Sequence, residues 1–173
     1  MIRRRRRTRG RGADLSSPYG ARNYTFDELN ACLNMHPQGD GEGTLIREVL
    51  RDEFSTAIIA LTGPEHYSAL HSLEATEVYH FYGGARRRML LLYPDGRIEQ
   101  PVLGADLGAG ELPQLVVPKD VWQGSTSDGP WTLTGATMSP GYRSDQFKLA
   151  NIEELLLKYP AAAQRILELA PHQ

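Results

Sequence analysis

The sequence predicts an all-β fold, a sandwich or barrel with short helices only at its two ends. Three observations carry this. At least seven short runs of β-branched, aromatic and aliphatic residues follow one another, each closed by a turn signal. Among 173 residues, 17 glycines and 11 prolines supply that punctuation. Helical periodicity is confined to the stretch after Tyr24 and the stretch after Asn151.

In chain order, residues 1–23 are rich in Arg, Gly and Ser and are expected to be a disordered tail. Thr25 with Glu28 three residues on forms a capping-box pattern, and Phe26, Leu29, Cys32 and Leu33 follow at helical spacing. Cys32 is expected to pack inside. His36 to Gly43, with a proline and three glycines, must be loop. Strands are expected at Thr44–Val49, Phe54–Leu61, Tyr67–Leu73, Thr76–Tyr82, Arg86–Tyr93, Arg97–Leu103, Leu115–Val117 and Trp131–Met138. Gly63-Pro64, Gly83-Gly84, Pro94-Asp95-Gly96 and Pro140-Gly141 are read as turns. Asn151 can cap a helix that Pro160 stops, and Ala161–Ala170 is a second short helix. Residues 24–173 thus read as one domain.

The formal charge of −2 hides an asymmetry. Seven of the 19 basic residues fall in residues 1–11, so 12 remain against 21 acidic residues in the rest. The folded part is therefore acidic, and charge alone gives it no affinity for nucleic acid. No apolar run is long enough to span a bilayer, and no apolar segment follows the arginines as a secretory signal requires. A single cysteine excludes an internal disulfide and points to a reducing, cytoplasmic setting. A barrel with an exposed strand edge is usually paired, so a homodimer is expected.

The residues that could carry chemistry gather in Leu70–Gly84. A turn at Glu74–Thr76 would let His71 on one strand meet Glu77 on the next. Alternation then puts Glu77, Tyr79 and Phe81 on the inward face and turns His80 away unless a bulge reverses it. Imidazole with carboxylate is half of a site for Zn, Fe, Mn or Ni. Gln114 and Gln123 lie on strands that lean inward, and Trp122 is expected as a cavity wall. Glu74 and Arg86 to Arg88 read as solvated. The sequence has no phosphate-binding loop, no nucleophile elbow and no dinucleotide fingerprint.

These residues resemble the two signature motifs of the cupin superfamily. His71 matches the first histidine, Glu77 the glutamate and Gly84 the closing glycine, whereas Leu73 stands at the second histidine. In the second motif Pro118 matches, Asp120 replaces a glycine and Gln123 replaces the histidine. A closer likeness, over roughly Tyr24 to Tyr159, is to an uncharacterised cupin branch described as predicted sugar epimerases. It rests on Ser68, His71, Glu77, His80, Phe81, Tyr82, Gly84, Leu103-Gly104, Gly110 to Gln114, Val116 to Pro118, Trp122 and Pro140-Gly141. The resemblance implies a double-stranded β-helix, the jelly roll. It implies His71, Glu77 and Gln123 as the remaining metal-ligand positions, for a divalent ion or none. Where that branch has an arginine after its histidine, this chain has Ser72, so a less anionic ligand is expected.

Two functional classes follow. The first is an enzyme that moves a proton on a small molecule, an isomerase or epimerase, dehydratase or cyclase. Its catalytic candidates are His71, Glu77, Tyr79 and His80, with Ser72, Gln114, Trp122 and Gln123 binding the substrate. The alternative is a cupin that binds a small ligand without chemistry.

Overall fold

The computed structural model describes residues 24–39 and 41–171. The arginine-rich segment, expected to be disordered, lies outside them. Helix α1 (Phe26–Leu33) opens with the expected capping box: Thr25 Oγ1 accepts from the Glu28 N–H at 3.2 Å, and the Glu28 carboxylate accepts from the Thr25 N–H at 2.9 Å. Twelve strands follow among the described residues: β1 (His36–Pro37), β2 (Leu45–Arg51), β3 (Thr56–Thr62), β4 (Ser68–Leu73), β5 (Glu77–Gly84), β6 (Arg87–Leu92), β7 (Ile98–Glu99), β8 (Val102–Leu103), β9 (Gln114–Val117), β10 (Trp122–Ser127), β11 (Thr132–Met138) and β12 (Phe147–Leu149). Helices α2 (Ile152–Lys158) and α3 (Ala163–Glu168) close the chain. Asn151 caps α2, as its position before the apolar run predicts.

The strands form two antiparallel sheets. One runs β1-β2-β3-β11-β5-β9, the other β12-β4-β10-β6-β7 with β8 also on β6. Strands distant in sequence lie side by side, β3 and β5 on β11 and β4 on β10, which is the jelly-roll topology. Consecutive strands often change sheet. The turn after Leu73 carries the chain from β4 in the second sheet to β5 in the first.

Each sheet buries its inner face against the other. Tyr79, Met89, Leu91, Val117, Val121 and Ala136 form that shared core. Alternation on β4 and β6 sends Leu70, Leu90 and Leu92 to the outer face, where Leu155, Tyr159, Ile166 and Leu169 of the C-terminal segment cover them. The second sheet is thus apolar on both faces, which explains the unbroken Met89-Leu-Leu-Leu92 run. Helix α1 covers part of the outer face of the first sheet at Leu45, Leu61 and Leu133.

The structure corrects several expected elements. Residues 122–127 form a central strand, β10; the sequence places Gln123 on a strand, but Gly124-Ser-Thr-Ser127 is not among the expected strands. Phe54 is 69% exposed and precedes β3 rather than starting it. Pro101 splits the expected Arg97–Leu103 strand into β7 and β8, because a proline has no N–H for the ladder. Cys32 is exposed, not packed inside. Gly83-Gly84 ends β5 within the sheet instead of turning it. Among the described residues no helix is long and apolar enough to cross a membrane.

Gly84 has φ +87°, and a Cβ there would lie 2.5 Å from the Trp131 carbonyl oxygen and meet its ring. Gly84→Ala is therefore expected to destabilise the protein by at least about 2 kcal/mol, from left-handed backbone plus overpacking. Urea denaturation checks this, and a loss below about 0.5 kcal/mol would contradict the packing described.

Candidate functional site

A cavity of about 350 Å³ lies between the sheets, a size that holds a small ligand. The sheet change at Glu74–Thr76 does more than the expected turn. It sets His71 and Glu77 on opposite walls, facing each other across the interior, instead of side by side in one ladder. Tyr79, two residues along β5, shares the wall of Glu77 and also lines the cavity. His71 is buried, its Nδ1 donates to the Ala69 carbonyl at 2.9 Å, and its ring stacks on Phe147 with centroids 5.3 Å apart. That bond fixes the ring and reserves Nε2 for another partner.

Gln123 sits beside His71, its Cα partner across β10 and β4. Its Nε2 donates to Glu77 Oε2 at 2.7 Å, joining the two sheets through side chains. Its Oε1 is buried with no hydrogen-bond partner among the described residues. Burial raises the Glu77 pKa, while the positive charge of His71 and the Gln123 bond pull it back. Burial, with Glu77's charge next, holds the Tyr79 phenol well above its ordinary value.

Two charged residues in the cavity were read otherwise or not singled out. Arg87 was taken as solvated with its neighbours, yet it is 1% exposed and faces inward, whereas Arg86 and Arg88 reach outward to Asp128. Its parity with Met89 and Leu91 was the signal. Glu42, from the glycine-rich loop, is buried in the same cavity and accepts from the hydroxyls of Thr44 and Ser68. No periodicity marks it. At the rim, Arg51 bonds the Glu48 carboxylate and the Tyr142 carbonyl.

Four candidates fall elsewhere. His80 stays on the outer face, where Nε2 meets Thr137 Oγ1 and Nδ1 accepts from Gln114 Nε2, both at 2.9 Å. The irregularity in β5 comes after it, between Phe81 and Gly83, too late to turn it inward. Gln114 is exposed beside it. Ser72 alternates away from His71 and Leu73, and Trp122 packs on the C-terminal helices instead of walling the cavity.

The donor set does not suit a transition-metal ion. His71 and Glu77 give one imidazole and one carboxylate, and the Gln123 amide nitrogen is already turned to that carboxylate. The described residues hold no group of three His, Cys, Asp or Glu side chains placed to bind one ion. Protein zinc sites use at least three such donors.

An antiparallel jelly roll with its polar side chains turned into the barrel defines a cupin-type protein. The chain belongs to the cupin superfamily, in the group described as DUF985, whose family model matches residues 33–150. It is similar to a crystal structure of a protein from Shewanella oneidensis, with 29% identity, 87% of this chain and 100% of that chain covered, and a TM-score of 0.81. A hypothetical protein from Leishmania major matches with 24% identity, coverage of 86% and 100%, and a TM-score of 0.77. An oxalate decarboxylase mutant from Bacillus subtilis shares the fold at 11% identity and a TM-score of 0.55, with 91% of this chain and 43% of that chain covered. None of the curated proteins matches the chain.

The raised Glu77 pKa sets a sign. A carboxyl whose pKa is higher folded than unfolded stabilises the fold while protonated, and stability falls as pH rises through the raised value. Glu77→Gln removes that loss. It is expected to raise Tm above the ordinary carboxylate range, by about 2–4 °C for each kcal/mol regained, with the gain vanishing below pH ~4. A pH series of melting curves measures this, and a lower Tm at neutral pH would contradict it. Elemental analysis of purified protein is expected to find well under one transition-metal ion per chain. Stoichiometric metal lost on His71→Ala would refute that reading of the donor set.

Proposed function

We propose that the barrel binds a small polar molecule and moves a proton on it, as an isomerase or epimerase, dehydratase or cyclase does. The observation that carries this is a buried carboxyl of raised pKa facing an oriented imidazole across a ligand-sized cavity. A base works best when its pKa approaches the working pH, and burial moves Glu77 that way. Glu77 takes a proton from the carbon next to a carbonyl or hydroxyl-bearing carbon. His71, held by Ala69, presents Nε2 from the opposite wall to return or remove a proton there. The Tyr79 hydroxyl stays protonated through the neutral range and donates to the oxygen that gains charge. Groups on two facing walls suit removal of a proton from one side of a carbon and its return from the other. Gln123 orients the carboxylate of Glu77.

A second reading, ligand binding without chemistry, is favoured by one observation: Leu73 and Gln123 stand where the cupin motifs carry histidine.

Deuterium uptake from D2O into a panel of small hydroxy and keto compounds, followed by NMR, separates the two. Exchange is expected with wild type, falling about 10²- to 10⁴-fold in Glu77→Gln and in His71→Ala while thermal-shift binding persists. Binding without exchange in wild type would leave only the second reading.

A further inference from the structure

The guanidinium of Arg87 is the feature of the cavity that proton transfer does not use. It projects from β6 and is held at two points, Nε to Ser125 Oγ at 2.6 Å on β10 and Nη1 to Thr134 Oγ1 at 2.8 Å on β11. The carbon between its nitrogens lies 5.3 Å from the centre of the Tyr79 ring. Both hydrogen-bond partners are neutral hydroxyls, and Nη2 takes part in neither bond. Among the described residues Arg87 forms no ion pair, although its neighbours Arg86 and Arg88 both pair with Asp128. Of the other carboxylates on the cavity, Glu48 pairs with Arg51, and Glu42 accepts from Thr44 and Ser68.

A buried cation that forms no direct ion pair is costly, and a side chain fixed by two hydrogen bonds in a ligand-sized space is already oriented for a partner. We infer that Arg87 is the anchor for a carboxylate on the molecule bound in the cavity. This rests on the reading that the cavity binds a small molecule, and it names the substrate class as hydroxy or keto acids. Arg87 is the buried guanidinium of this cavity, since Arg51 at the rim is already paired with Glu48, and one fork matches one carboxylate. It does not match a doubly charged phosphate, which Glu42 and Glu77 would repel. The carboxylate that the sequence seemed to forgo at Ser72 thus finds its planar fork on another strand.

The test uses the full chain and three probes of similar size: glycolate, its neutral amide glycolamide, and inorganic phosphate. Glycolate is expected to raise the melting temperature saturably and to bind at least tenfold more tightly than glycolamide or phosphate, by titration calorimetry. Arg87→Lys keeps the charge but loses the fork, and is expected to weaken glycolate at least tenfold while leaving glycolamide unchanged. Equal binding of glycolate and glycolamide, tighter binding of phosphate, no glycolate binding at tens of millimolar, or an unaltered glycolate affinity in folded Arg87→Lys would each overturn the inference. Deuterium exchange into a neutral substrate that needs Glu77 but not Arg87 would overturn it too, while leaving proton transfer intact. Glycolate binding with no exchange on any hydroxy or keto acid would do the opposite.

Discussion

The hydrogen bond from Gln123 to Glu77 is the constraint that shapes the barrel interior. It crosses from one sheet to the other at the level of His71, and both its ends are buried. An isolated carboxylate cannot be left in an apolar interior. The amide supplies one donor, and the carboxyl answers the remaining burial by holding its proton more tightly. An imidazole at 123 would have added charge and a metal donor. The amide adds no charge, and its nitrogen is spent on Glu77.

The polar lining is distributed over both sheets. Glu77 and Tyr79 come from the first, His71 and Arg87 from the second, and Glu42 from the loop that leads into β2. Arg87 is tied to a strand of each sheet. The side chains therefore depend on how the sheets face each other, and the shared apolar core around Met89, Leu91 and Val117 fixes that relation. Membership of the cupin superfamily accounts for the frame. The contents of the frame differ from the common motif at Leu73 and Gln123, and chemistry has to be argued from what is present there.

Much of this was legible in the sequence, for physical reasons that differ by residue. His71 and Glu77 were found because a turn between two strongly β-forming runs forces them inward. Period-two alternation also placed Tyr79 inside and His80 outside. The same rule, applied to Arg86-Arg-Arg88, would have turned Arg87 inward with Met89. Three like charges in a row suggested solvent instead, and only the neighbouring strands reveal hydroxyls waiting for the middle one. The continuation of β10 past Gln123 was missed because glycine and small hydroxyl residues carry little strand preference; pairing on both sides imposes it. Glu42 lies in a loop whose path depends on glycines, where no periodic argument reaches.

The strand that carries His71 is also bound to the C-terminal segment, at Ala150 and Leu169. The Leu70 N–H donates to the Leu169 carbonyl at 2.8 Å, and the Leu70 carbonyl accepts from the Ala150 N–H at 2.9 Å. The same leucine side chain is sealed under α2 and α3. One ribbon thus presents an imidazole inward and is splinted from behind by residues that lie far along the chain, Ala150 and Leu169. Contacts of such long sequence separation make that wall of the pocket a late-forming, non-local element, because loop closure must precede them.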